Sequence, residues 1–231
     1  MSTFAQNPSK PTLTKIGTEQ TQIVQVSDFF KTPELVVEAA SSHRYAHINP
    51  HYPGIRASVE PGLLAGLCEA VSDLVVTNFE AEKQVWMGQA WYSIVTHPKE
   101  RLTPIQRLPH FDGFDESQLA VMIYLNQTQH GGTGFYRHLS TEFERVTEAR
   151  YPSYKAALES DVQKSGLPPA RYIEKGGPHF EKIFASDASF NSLILYPGTS
   201  LHSGVINNAA PLPGDPRQGR LTINGFFRPK D

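Results

Sequence analysis

The fold class that this sequence predicts is mainly β with flanking helices: an antiparallel sandwich or jelly roll buttressed by N-terminal helices. Three observations predict it. The first third carries two stretches with helical spacing of apolar residues. The remainder carries short apolar runs rich in β-branched and aromatic residues, each bounded by turn residues. No repeat, low-complexity tract or linker divides the chain. Its 231 residues suffice for one well-buried domain and are short for two, so residues 1–231 are expected to form one domain.

In chain order, residues 1–20 read as a loose polar arm. TQIVQVSDFF (21–30) alternates apolar and polar residues up to Asp28. Pro33 then opens a helix with Leu35, Val36 and Ala39 on one face. RYAHINPHYPGIRAS reads as an ordered loop. A second helix is expected from Gly62 to Phe79, its stripe formed by Leu63, Leu67, Val71, Leu74, Val75 and Phe79. Strands are expected at Gln84 to His97, Gln118 to Asn126 and Ser189 to Gly198, and in LHSGVINN and GRLTINGFFRP. Residues 143–166 look more helical. They belong to a helical and loop insertion, residues 137–188, that interrupts the strands.

Composition removes several function classes. Hydrophobic residues at 39% and charged residues at 19% exclude a disordered chain. A formal charge of −2 provides no global field for nucleic acid or an anionic membrane, so neither is expected as a partner. Cys68, the single cysteine, rules out an internal disulfide and a Cys-rich zinc module. The N-terminus lacks a secretory pattern, and no apolar stretch approaches the roughly 20 residues that span a bilayer. The expected location is the cytoplasm.

The chemistry concentrates in RLPHFDG. His110 and Asp112, two residues apart on a strand or its end, direct their side chains to the same face. An imidazole and a carboxylate so placed share a divalent metal, and His202 in YPGTSLHSGV is the natural third ligand. Two His and one carboxylate occupy one face of an octahedral ion and leave three positions open, the arrangement of non-haem Fe(II) oxygenases. The helix-borne HExxH pattern of zinc hydrolases is absent. An HxD tripeptide alone is weak and is more often a surface turn or a hydrogen-bonded pair.

What strengthens it is the order of features: HFD at 110–112, YLN at 124–126, GGTGF at 131–135, LHSG at 201–204 and RLT at 220–222. In that order the chain resembles the Fe(II)/2-oxoglutarate dioxygenase superfamily, most closely its prolyl-4-hydroxylase-like branch, over about Leu108 to Pro229. The resemblance implies a double-stranded β-helix (jelly-roll) core with the metal between its two sheets and the N-terminal helices packed on one of them. It implies Fe(II), 2-oxoglutarate as co-substrate and O2, with His110, Asp112 and His202 as both metal ligands and catalytic centre. It also implies hydroxylation or another oxidation and not halogenation, because halogenases of this kind replace the carboxylate at Asp112 with a small residue.

2-Oxoglutarate needs a permanent cation for its far carboxylate, preferably one that forms two hydrogen bonds. Arg220 is expected to supply it, with Thr222 on the same strand face. Tyr124 matches a tyrosine that in this branch bonds the same carboxylate. Arg220 follows His202 by 18 residues (220 − 202), more than the family's usual spacing, so Arg217 and Arg228 remain alternatives. The excess sits in NNAAPLPGDPRQG, read as an extruded hairpin loop.

Among other candidates, His138 stands near the pocket only as a minority reading, and the remaining histidines read as solvated or capped. Trp86, Trp91 and Tyr92 read as core, Phe111 as pointing away from the metal face, and Arg56 and Arg107 as structural or solvated, with binding of an acidic substrate as the minority reading. In the family, insertions like 137–188 cover the active site, so a lid is expected here, with peripheral decoration as the alternative. The substrate is open among small molecules, amino acids and peptidyl residues. A cupin-like metalloenzyme that does not use 2-oxoglutarate and a non-catalytic jelly-roll binding protein are the rival readings.

Overall fold

The structure, a computed structural model, describes residues 4–7, 10–48, 50–79, 81–127 and 130–230. Strands β1 (Thr12–Ile16) and β2 (Thr21–Val26) precede helix α1 (Pro33–Ser41), strand β3 (Gly54–Ser58) and helix α2 (Pro61–Phe79). Strands β4 (Trp86–Val95), β5 (Leu119–Tyr124) and β6 (Thr133–His138) come next, then helix α3 (Tyr151–Ser165). Strands β7 (Phe180–Ala185), β8 (Ser192–Pro197), β9 (His202–Gly204) and β10 (Leu221–Pro229) complete the chain.

The large sheet has the order β1-β2-β8-β5-β10-β4-β3 and the small one β7-β6-β9. A bridge between His110 and His202 adds the ligand-bearing segment beside β9. From β4 onward the chain alternates between sheets: β4 large, His110 small, β5 large, β6 and β7 small, β8 large, β9 small, β10 large. That alternation is the double-stranded β-helix, so the expected jelly roll is the fold observed.

The N-terminal helices pack on the outer face of the large sheet, as expected. Val36, Ala40, Leu63, Leu67, Ala70 and Val71 join Tyr92, Ile123, Leu195 and Ile223 in the main core. The buried face of α1 is Pro33, Val36 and Ala40; Leu35, expected on it, is 49% exposed, because helix register selects positions three and four apart from Pro33. Contrary to the expectation of no membrane-length stretch, α2 is long and apolar enough to cross a bilayer by length and composition. Its Leu63–Val71 stripe is buried on the sheet.

Three boundaries need correction. Of the expected arm, residues 1–3, 8 and 9 lie outside the described residues, and Thr12–Ile16 is an edge strand paired in full register with β2. The loop 44–58 ends in β3, which pairs with β4. The insertion is shorter than residues 137–188, because β6 runs to His138 and β7 occupies Phe180–Ala185 in the small sheet. Within it only Tyr151–Ser165 is helical. Residues 144–146 lie extended against 199–201, with backbone bonds from Val146 to Thr199 and from Leu201 to Glu144.

Glu144 locks that arrangement. Its buried carboxylate accepts hydrogen bonds from the Thr18 amide (2.9 Å) and hydroxyl (3.0 Å), the Glu19 amide (3.0 Å), and Arg137 Nε (2.9 Å) and NH2 (2.6 Å). Gly17, at φ +64°, lets the β1–β2 turn approach, since a Cβ there would lie 2.0 Å from the carboxylate. Burial works to raise the Glu144 pKa, but the amide and arginine bonds prevail and hold it below its ordinary 4.5. Its contribution to stability is therefore present above that value and lost as pH falls through the folded one. Glu144→Ala is expected to cost about 2–4 kcal/mol by leaving the Thr18 and Glu19 amides unpaired, while Arg137 keeps Glu181 at 3.0 Å. Urea denaturation at neutral pH measures this, and a loss under about 1 kcal/mol would count against the lock.

The inner face of the large sheet positions the site. Arg56 pairs with Ser93, Ser93 with Thr222, and Thr222 with Tyr124. Directly opposed residues point to the same side, so these four form one row facing the small sheet. Facing it are Phe135 and Phe184, packed with Ala120, Ile194 and Tyr196.

Candidate metal centre

His110 and His202 exchange backbone bonds in both directions, His110 N to His202 O at 2.9 Å and His202 N to His110 O at 2.8 Å. This two-bond bridge brings together residues from distant parts of the chain. The Asp112 amide bonds Gly198 O at 2.8 Å and fixes the next turn of the segment. Phe111 points to the other side, as alternation predicts, and meets Phe114, Tyr151 and Tyr154 at centroid distances of 5.4, 6.1 and 6.3 Å.

One nitrogen of each imidazole and one carboxylate oxygen lie within 4.8 Å of one another. Asp112 Oδ1 is 3.8 Å from His110 Nε2, and Oδ2 is 3.6 Å from His202 Nε2. Both distances are too long for hydrogen bonds. Asp112 Oδ2 is buried without a hydrogen-bond partner. His202 Nδ1 donates to Ser200 O at 2.9 Å, which leaves the Nε2 lone pair facing the carboxylate.

Electrostatics agree with that geometry. Burial lowers the His202 pKa to about 4. Burial, then the neighbouring His202, lowers His110, although one edge of its ring stays open. Burial pushes Asp112 up to about 6. Two neutral imidazoles and a desolvated carboxylate form a donor set that lacks a positive partner, and a divalent cation fits it. Protons compete for the same atoms. Affinity for Ni(II), followed by calorimetry, is expected to be flat above about pH 7 and to fall as Asp112 protonates below about pH 6. A constant affinity down to about pH 5 would contradict this.

Arg220 sits immediately before β10 and is 3% exposed. Its NH2 donates to the Gly131 and Gly132 carbonyls at 3.1 and 3.2 Å, while Nε is buried without a partner. Its guanidinium lies 5.7 Å from the Tyr124 ring centroid. Among the described residues, no carboxylate lies within ion-pair distance of it. The glycine pair is required here, since a Cβ on Gly132 would stand 2.3 Å from Ser186 O.

The other candidates fall into place around it. Thr222, fully buried, bonds Asn224 Oδ1 at 2.7 Å. The Tyr124 hydroxyl is engaged by Thr133 Oγ1 (2.7 Å) and Ser186 Oγ (3.0 Å), so its ring, not a free hydroxyl, is what Arg220 meets. Arg217 pairs with Glu38 on the surface at 2.7 Å, and Arg228 is exposed. Arg107 bonds the Leu102 and Pro168 carbonyls. His138, the last residue of β6, is fully buried against Thr141 and Asp161 of the insertion.

Sequence reasoning read Trp91 as core and Arg56 mainly as structural or solvated. Both lie on the inner face, and the Arg56 guanidinium sits 4.1 Å from the Tyr52 ring centroid and 5.5 Å from that of Trp91. The alternation of GIRAS is the signal that marks Arg56, but it is visible only once those residues are read as a strand.

A family model described as "Family of unknown function (DUF6445)" matches residues 7–227. No curated protein matches the chain in sequence. Sixteen chains of solved structures are similar, three of them as follows. HygX from Streptomyces hygroscopicus, with nickel and 2-oxoglutarate bound, has 11% identity and a TM-score of 0.49, covering 92% of this chain and 84% of that one. A Pseudomonas putida prolyl-4-hydroxylase has 11% identity and a TM-score of 0.46, covering 92% and 95%. An N-substituted L-amino acid dioxygenase from Burkholderia ambifaria has 11% identity and a TM-score of 0.39, covering 96% and 94%. At such distance the chemistry must come from the site itself.

Proposed function

We propose that this chain, which belongs to the family of unknown function DUF6445, is a non-haem Fe(II)/2-oxoglutarate-dependent oxygenase that hydroxylates a small-molecule, amino-acid or peptidyl substrate. One observation carries this reading. The same jelly roll holds a two-imidazole, one-carboxylate cluster and, on the inner face of its large sheet, a buried guanidinium with no carboxylate partner. A metal alone accounts for the first feature and not for the second. A dianion that reaches from the metal to Arg220 accounts for both.

His110, Asp112 and His202 would hold Fe(II) through Nε2, a carboxylate oxygen and Nε2. When bound, Fe(II) with 2-oxoglutarate and O2 supplies the oxidising power to hydroxylate a C–H bond, with succinate and CO2 as co-products. The chain's own part is binding and exclusion of water. Arg220 offers Nε–H to the far carboxylate of the co-substrate, in a setting too dry for the charge to be screened. The Tyr124 ring walls that position, and Thr222 holds Asn224 in place beneath it. The insertion serves as a buttress in this reading, because Tyr151 and Tyr154 back the ligand segment through Phe111. No side chain has to act as a general base.

Anaerobic titration tests the assignment. Fe(II) and 2-oxoglutarate together are expected to produce the weak visible metal-to-ligand band, and neither alone produces it. Metal binding with no response to 2-oxoglutarate would favour a cupin-like metalloenzyme. A protein that takes up no Fe(II) would be a binding protein.

A further inference from the structure

We propose that Arg56 binds a carboxylate of the prime substrate, so that the substrate is a small organic acid held between Arg56 and the three-ligand cluster. This inference rests on the function proposed above and names its substrate class.

The register sets Arg56 opposite Ser93, facing into the sandwich. Its guanidinium is sandwiched by the Tyr52 and Trp91 rings, yet its buried Nε has no hydrogen-bond partner. None of the ion pairs among the described residues involves it. Aromatic stacking alone does not satisfy such a group, since a desolvated N–H left unmade costs free energy that stacking does not return. The unfilled donor points to an acceptor supplied from outside the chain.

Position separates Arg56 from Arg220. Arg56 stands on β3 at one end of the inner row, against the Tyr52 and Trp91 rings, whereas Arg220 stands at the start of β10 beside the Tyr124 ring and the Gly131 and Gly132 carbonyls, with β4 between the two strands. A co-substrate that engages Arg220 therefore leaves Arg56 free for a second ligand.

Charge balance gives the same answer. With both imidazoles neutral, Asp112 contributes −1, the two arginines +2 and a divalent ion +2, a sum of +3. Doubly negative 2-oxoglutarate reduces this to +1. A remaining positive charge in a desolvated interior is unfavourable, and one further monoanion removes it. Trp91, edge-on to Phe226 at 6.0 Å, and Tyr52 form the apolar walls that would take the body of the acid.

The experiment uses the protein loaded with Fe(II) and 2-oxoglutarate without oxygen. N-acetyl-L-amino acids and their carboxamides are titrated in, with calorimetry and the shift of the visible band as readouts. At least one acid is expected to bind tenfold or more tighter than its amide. Arg56→Met is expected to erase that preference and leave 2-oxoglutarate affinity within about threefold, and Arg56→Lys to restore part of it. If no acid is preferred over its amide, or the preference survives Arg56→Met, the inference is overturned. A large loss of 2-oxoglutarate affinity in Arg56→Met would also overturn it, by making Arg56 a co-substrate anchor. Failure of the band to form in the parent protein refutes the underlying function, which is a distinct result. Melting of the ligand-free variant checks folding. A marked fall in Tm with acid preference intact identifies a purely structural stack and overturns the inference.

Discussion

Asp112→Ala protein is expected to bind Fe(II) at least a hundredfold more weakly than the parent and to give no visible band with 2-oxoglutarate. Asp112 provides the only carboxylate in the His110–Asp112–His202 cluster. Without it, two neutral imidazoles remain, and no ligand offsets the charge of the ion. Structural metal sites gain about 10–16 kcal/mol from four ligands, so one charged ligand is worth roughly 3 kcal/mol or more. His110→Ala is expected to fail in the same way.

The isosteric Asp112→Asn separates this from misfolding. In the metal-free protein the Asp112 pKa is raised by burial to about 6 from an ordinary 3.8. The folded state is thus penalised for holding the carboxylate, by an amount that grows as pH rises from the ordinary value and is complete above the folded one. A rise of that size corresponds to about 3 kcal/mol. Metal-free Asp112→Asn is therefore expected to be more stable than the parent at about pH 8, with the difference vanishing below about pH 4. Thermal melts in a chelating buffer measure it. A variant less stable at high pH would mean that the carboxylate is structural.

The second large effect is at Arg220. Arg220→Met is expected to weaken 2-oxoglutarate by about 2–5 kcal/mol, because it strands the far carboxylate in a buried position. Fe(II) affinity should stay within about twofold, since Arg220 touches none of the ligands. Stability should change little. The variant loses two bonds to the Gly131 and Gly132 carbonyls and also loses the cost of an unpaired buried cation. Equal 2-oxoglutarate affinity in parent and variant would remove Arg220 from the site.

Much of this was legible in residue order. Alternation placed His110 and Asp112 on one side and Phe111 on the other, and the structure does the same. Arg220 was separable from Arg217 and Arg228 only in part, because its Arg-x-Thr pattern and strand position spoke for it while its spacing from His202 spoke against it. Burial supports Arg220, since Arg217 has Glu38 on the surface and Arg228 faces solvent. Arg56 read mainly as structural or solvated because β3 is a five-residue edge strand inside a turn-rich stretch. Local propensity there says loop, and pairing with β4 overrides it. Glu144 was invisible for a related reason. Its partners lie at Thr18 and Glu19, in a segment that looked like a loose arm, and no local pattern reports a contact across 126 positions.

The placement of β10 has a consequence for how the chain is made. β10 is made after β4 and β5, yet it lies between them in the middle of the large sheet. During synthesis β4 and β5 wait with open edges, joined to nothing on their facing sides, until residues 221–229 leave the ribosome. Arg220 enters at the same moment. The nascent chain thus carries two exposed strand edges from the completion of β5 at Tyr124 until β10 begins at Leu221, a state prone to mispairing and slow to resolve.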